Sequence, residues 1–163
     1  MNRRTQDYAP VCISTADKKS VLLSTAIIPA FPQIAKALKE YQKISGRNGQ
    51  MSHEVFHQKE VVVLVVQWVT ERKAKINDAN LCGWEDAFVK EHFDKVHQLL
   101  PAAFHLEQLD LADKLAKSLA DSLKGKSPAE VASSLGIVRC ISTEDLEKLK
   151  TQELSMDLLS YHN

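Results

Sequence analysis

Residues able to do chemistry come closest to a usable spacing at His53-Glu54-Val55-Phe56-His57. This run matches H-E-x-x-H, in which two histidines one helical turn apart hold zinc and the glutamate activates water. The pattern works only on a long helix, yet Gly46 and Gly49 lie just upstream and Ser52 would start any helix right at the first ligand. A third protein ligand is also needed, and the nearest downstream candidates, Glu71 and Glu85, have no supporting pattern. The expectation is a surface strand or loop with two histidines and no metal.

The remaining reactive side chains are scattered. His92, His97, His105 and His162 share no ligand spacing and read as surface or boundary residues. Cys12, Cys82 and Cys140 are odd in number, far apart and outside any C-x-x-C, so they read as reduced, partly buried thiols. No phosphate-cradling glycine loop, dinucleotide fingerprint or paired-carboxylate motif is present in the sequence. The expectation is a protein that is not an enzyme and needs no cofactor.

Bulk properties narrow the partners. The 163 residues suit one ordinary domain, and 44% hydrophobic with 26% charged residues is a usual globular balance. Lys plus Arg and Asp plus Glu number 21 each, so no net field attracts nucleic acid or an anionic membrane, and neither is expected as a partner. The opening Met1-Asn2-Arg3-Arg4-Thr5-Gln6 is polar and leads into no apolar stretch of the kind a secretory signal needs. The longest aliphatic run, Val61 to Val66, falls far short of the roughly 20 residues of a membrane span. The expected location is the cytoplasm and nucleus.

The elements that would position these side chains begin with a hairpin. Val11 and Ile13, then Ser20-Val21-Leu22-Leu23, are apolar pieces split by the polar Ala16-Asp17-Lys18-Lys19. Pro29 and Pro32 punctuate the chain before Ile34, Ala35, Leu38 and Tyr41, whose spacing marks an amphipathic helix. Lys43 to Ser52 reads as a loop. The run from Glu60 to Thr70 holds six valines, which favour a strand by propensity, but Val62, Val65, Val66 and Val69 also make a helical stripe; periodicity leaves both readings open. Ala74 to Gly83 reads as a second loop.

A helical half follows. Val96, Leu99, Leu100 and Ala103 repeat at helical spacing around Pro101, an interior proline that would remove one backbone hydrogen bond and kink the helix. Leu111, Leu115, Leu119 and Leu123 recur every fourth residue, a strong helical signal. Ser127-Pro128-Ala129-Glu130 supplies an N-cap, an N1 proline and an N3 carboxylate ahead of Val131, Leu135 and a Gly136 stop. Thr143-Glu144-Asp145 opens a last helix through Leu146 and Leu149. Short leucine-rich helices of this kind either pack wholly on their own core or leave a face for a partner.

Lys124-Gly125-Lys126-Ser127-Pro128-Ala129-Glu130, followed by Val131 and Leu135-Gly136-Ile137, closely resembles the K-G-K-T-P-E-E-I turn and helix of the S-phase kinase-associated protein (Skp) family, the adaptors of cullin-based SCF ubiquitin ligases. Trp84 with Phe88 and Lys90, then Leu99, Ala102, Ala103, Leu106 and Asp113, fall at the spacing of that family's W-D-x-E-F-L-K and L-A-A-N-Y-L-D stretches. Val65-Val66-Gln67-Trp68 is similar to its V-I-Q-W helix, and Val11 through Leu38 to its opening strands and helices.

The resemblance implies an α+β fold: a BTB/POZ-like core with an N-terminal β-hairpin or small sheet and surrounding helices, extended by C-terminal helices. It makes the valine run a helix. It implies a disordered arm over 1–9, the core over 10–109 and a helical F-box-binding extension over 110–163. On that pattern Leu119, Leu123, Val131, Leu135 and Ile137 line the F-box groove, with Met156, Leu158 and Leu159 as further candidates in the tail. The family's Asn-Tyr pair, associated with cullin contact, is Phe104-His105 here, preceded by Pro101; the family's acidic loops and closing tryptophan are replaced. The implied function is a non-enzymatic adaptor bridging F-box proteins to a cullin for protein ubiquitination. The alternative is a divergent Skp-like structural or scaffold protein that self-associates as a homodimer and has lost cullin binding.

Overall fold

The computed structural model describes residues 11–45 and 51–135. Three strands and six α-helices lie among them, the α+β class implied by the sequence. Strands β1 (Val11–Ser14) and β2 (Ser20–Leu23) form the expected antiparallel hairpin, pairing Val11 with Leu23 and Ile13 with Val21. Strand alternation puts those four apolar residues on one face, and all four are buried. The chain then crosses over through a 3-10 turn (Ile28–Ala30) and helix α1 (Pro32–Ser45) to β3 (Met51–Glu54), which pairs parallel with β1. A parallel pair requires such a crossover, and the resulting order β2-β1-β3 makes β1 central.

The hairpin loop is fastened at several points. The Thr15 hydroxyl donates to Asp17 Oδ1 at 2.6 Å, Lys19 pairs with the same carboxylate at 3.0 Å, and the Lys59 amide donates to Asp17 Oδ1 at 3.1 Å. These partners, the Thr15 hydroxyl foremost, hold the Asp17 carboxyl down at about 2. Asp17 thereby caps helix α2 (Lys59–Ala74) from outside, where the N-cap Gln58 makes no side-chain bond.

Helix α2 is the valine run. Val61, Val62, Leu64, Val65, Trp68 and Val69 are buried, and the helix packs against β2 and against α4 (Val96–His105). Between them come α3 (Leu81–Glu91) and a 3-10 turn, Phe93–Lys95; then α5 (Leu109–Leu123) and α6 (Pro128–Ser134) follow α4. Two loop expectations are shortened. Helix α1 continues through Ser45 and β3 opens at Met51, while Leu81–Gly83 begin α3. Gly83 fits that helix start because a Cβ there would sit 2.4 Å from Asn80 Oδ1. Pro101 stands inside α4 with the helix assigned on both sides of it.

One core unites these elements. It joins the sheet, α1, α2, α3 and α4 to Leu111, Ala112 and Leu115 of α5. Trp68 stacks on Trp84 at 5.1 Å between ring centres and meets Phe88 edge-on at 5.2 Å. The described residues fall into two compact units divided between Ser122 and Leu123. Gly125 follows α5 with a φ of +75°, a left-handed turn that a residue with a Cβ adopts only under strain.

Candidate functional site

The every-fourth leucines of α5 change environment along the helix. Leu111 and Leu115 are fully buried, whereas Leu119 is half-buried against the core. Leu123, the last helical residue, is also half-buried. In the second unit, α6 begins as its sequence dictates: Glu130 N–H donates to the Ser127 hydroxyl, and Ser127 N–H donates to Glu130 Oε2 at 2.7 Å, a complete capping box. Val131 and Leu135 are half-buried there. Ile137, Gly136, the proposed helix from Thr143, and Met156, Leu158 and Leu159 lie outside the described residues, as does the 1–9 arm.

Charged side chains fix α5 to the rest of its unit. Glu85 is buried, accepting from Arg72 Nε at 2.7 Å and lying 3.3 Å from Lys114 Nζ. Arg72 also reaches Asp110 at 2.8 Å, and Lys114 reaches Asp86 at 2.6 Å. One buried carboxylate thus ties α2, α3 and α5 together. The Lys114 ammonium is pushed above the usual lysine range, chiefly by Asp86. Beside it, α3 and α5 flank a groove of about 810 Å³ lined by Cys82, Val89, Phe93, Lys114, Lys117 and Ser118 among others.

A second surface gathers histidines. The H-E-x-x-H run falls on β3 and the connection after it, so His53 and Glu54 are consecutive strand residues pointing to opposite sheet faces. The helical geometry that zinc chemistry needs is replaced by extended backbone, because residues 51–54 complete the sheet. Among the described residues no three His, Cys, Asp or Glu side chains come together as a metal set. His53 is half-buried rather than on the surface.

His57 instead meets the end of α4, with its Nε2 lying 3.1 Å from Nδ1 of His105. Phe56 stacks nearly parallel to the His105 ring at 6.4 Å. Both His53 and His57 are held below the ordinary histidine value, first by burial and then by the neighbouring His105 charge. Phe56 is 87% exposed and Phe104 is 55% exposed. Of the two residues in the Asn-Tyr positions, Phe104 therefore faces outward and His105 is engaged. Sequence spacing gives no sign of the His57–His105 pair, since 48 residues separate its members. Glu85 likewise carries no local signal for its burial.

Among the described residues no helix is long and apolar enough to cross a membrane. No protein-family model matches the chain. Three curated relatives do, all from Arabidopsis thaliana. SKP1-like protein 11 and SKP1-like protein 12 are each 27% identical over 77 residues, 47% of this chain and 51% of the relative. SKP1-like protein 1A is 28% identical over 79 residues, 48% of this chain and 49% of the relative. The chain spans about half the length of the curated relatives it matches. These likenesses, over about half of the chain, make it similar to SKP1-like proteins, and the α+β architecture accords with that similarity.

Proposed function

We propose that the chain is a non-enzymatic adaptor of an SCF-type cullin-RING ubiquitin ligase, holding an F-box protein on its C-terminal helices and a cullin on another face. The observation that carries this reading is the half-open run of leucines. Leu111 and Leu115 are sealed into the core, while Leu119 and Leu123 keep part of their surface in solvent. In this reading Leu119, Leu123, Val131, Leu135 and Ile137 are the aliphatic anchors of a helix-in-groove contact, where a few buried side chains dominate affinity. Phe104 and His105 face the cullin. The adaptor works in the cytoplasm and nucleus, with no nucleic-acid or membrane partner.

The experiment is a binding titration of the full chain with a purified F-box segment. Leu123→Asp and Leu135→Asp each abolish binding, because a desolvated carboxylate in the groove finds no partner, and the core remains folded by circular dichroism. Retained affinity in both variants refutes the groove assignment. A second reading, a self-associating scaffold without cullin binding, draws on the engagement of His105 by His57 and Phe56. Sedimentation of the chain alone and with a cullin N-terminal domain separates the two: a heterocomplex supports the adaptor, a homodimer with no heterocomplex the scaffold.

A further inference from the structure

Four of the chain's six histidines belong to two neighbouring segments: His53 and His57 on β3 and its connection, His97 and His105 on α4. His57 and His97 line one small pocket with Phe56, Gln58 and Pro101. We propose that His57 and His105 form a proton-limited latch, closed while the pair carries at most one proton and opened by the second.

A hydrogen bond of 3.1 Å between two ring nitrogens needs a hydrogen on one and a free lone pair on the other. One proton added to the pair leaves that arrangement intact, because the imidazolium donates to its neutral neighbour. A second puts N–H against N–H and two positive charges on rings whose centres are 5.2 Å apart. The pair then separates.

Neighbouring groups give little to offset that repulsion. From β3 comes His53, which shares the His105 field, and from α4 comes His97. Asp17 near the start of α2 is engaged by Thr15, Lys19 and the Lys59 amide. Glu107, just past α4, accepts from Gln33 at 2.9 Å. Among the described residues no histidine forms an ion pair with a carboxylate.

The backbone on either side stays fixed. Ala16 N–H donates to the His57 carbonyl at 2.9 Å, and Leu106 N–H to the Ala102 carbonyl at 2.9 Å. Opening is therefore a side-chain event, and it releases the Phe56 ring from His105.

The test is a proton-NMR titration of the histidine ring signals in the full chain. The expected wild-type result is two steps for His57 and His105 separated by more than about one pH unit, the signature of coupled sites, with the Phe56 signals moving in the lower step. In His57→Gln and His57→Ala the His105 signal collapses to a single step, while His97→Ala keeps both steps. Overlapping ordinary steps in the wild type, or an unchanged His105 titration in both His57 variants, overturns the latch. The titration needs no partner, so its outcome is independent of the adaptor reading.

Discussion

Truncating the leucines of α5 one at a time separates the part of the helix that holds the fold from the part left partly in solvent. Leu115 is fully buried. Leu115→Ala removes three carbons, about 2.4 kcal/mol at about 0.8 kcal/mol per buried CH₂. A residual void of about 50 Å³ adds about 1.2 kcal/mol at about 24 cal/mol per Å³. The sum, about 3–4 kcal/mol, lowers the thermal midpoint by about 7–14 °C for a chain of this size. Leu119 is half-buried, so Leu119→Ala forfeits about half the transfer term and leaves a dent that water fills, a cost of about 1 kcal/mol. Equilibrium urea unfolding with a common slope measures both. A loss below about 1 kcal/mol for Leu115→Ala, or an equal loss at Leu119, refutes the division of the helix into a sealed half and an open half.

Three further outcomes follow from the charged and polar contacts. Asp17 has its carboxyl lowered from 3.8 to about 2, so its contribution to stability is present above 3.8 and is lost as pH falls through about 2; Asp17→Asn flattens the acid limb of a stability-versus-pH curve in that window, and an unchanged limb contradicts the cap. Glu85→Gln leaves Arg72 and Lys114 beside a neutral amide, but each keeps a second carboxylate, so the cost is about 1–2 kcal/mol rather than the larger value of a stranded buried charge. Its persistence in high salt during denaturant unfolding is the check, since a surface pair would be screened. Ser127→Ala removes the side-chain cap of α6 at about 1 kcal/mol, seen as faster amide exchange over residues 129–134, and unaltered exchange rules out a capping contribution.

Much of this architecture was legible because local pattern and tertiary burial agree. The alternation of Val11, Ile13, Val21 and Leu23 gave the hairpin, and Ser127 with Glu130 gave the α6 start, because both signals operate within a few residues. The valine run was different. Val61, Val62, Leu64 and Val65 are buried together, too wide an apolar arc for helical periodicity to stand out from strand propensity, and only likeness to a family tipped it toward a helix. The histidine pair and the burial of Glu85 were illegible for a third reason. Each is created by segments far apart in the chain, and nothing in the spacing of His53 and His57 announces that residues 51–54 are claimed by a parallel ladder with β1.

That ladder has a consequence for how the protein is made. Strand β1 leads the described chain, but it lies in the middle of the sheet, with one neighbour supplied within ten residues and the other only after the α1 crossover. During synthesis the hairpin emerges early, with one edge of β1 unpaired until Met51–Glu54 leaves the ribosome. For that interval its open amides and carbonyls are a place where a strand from another nascent chain can dock in error.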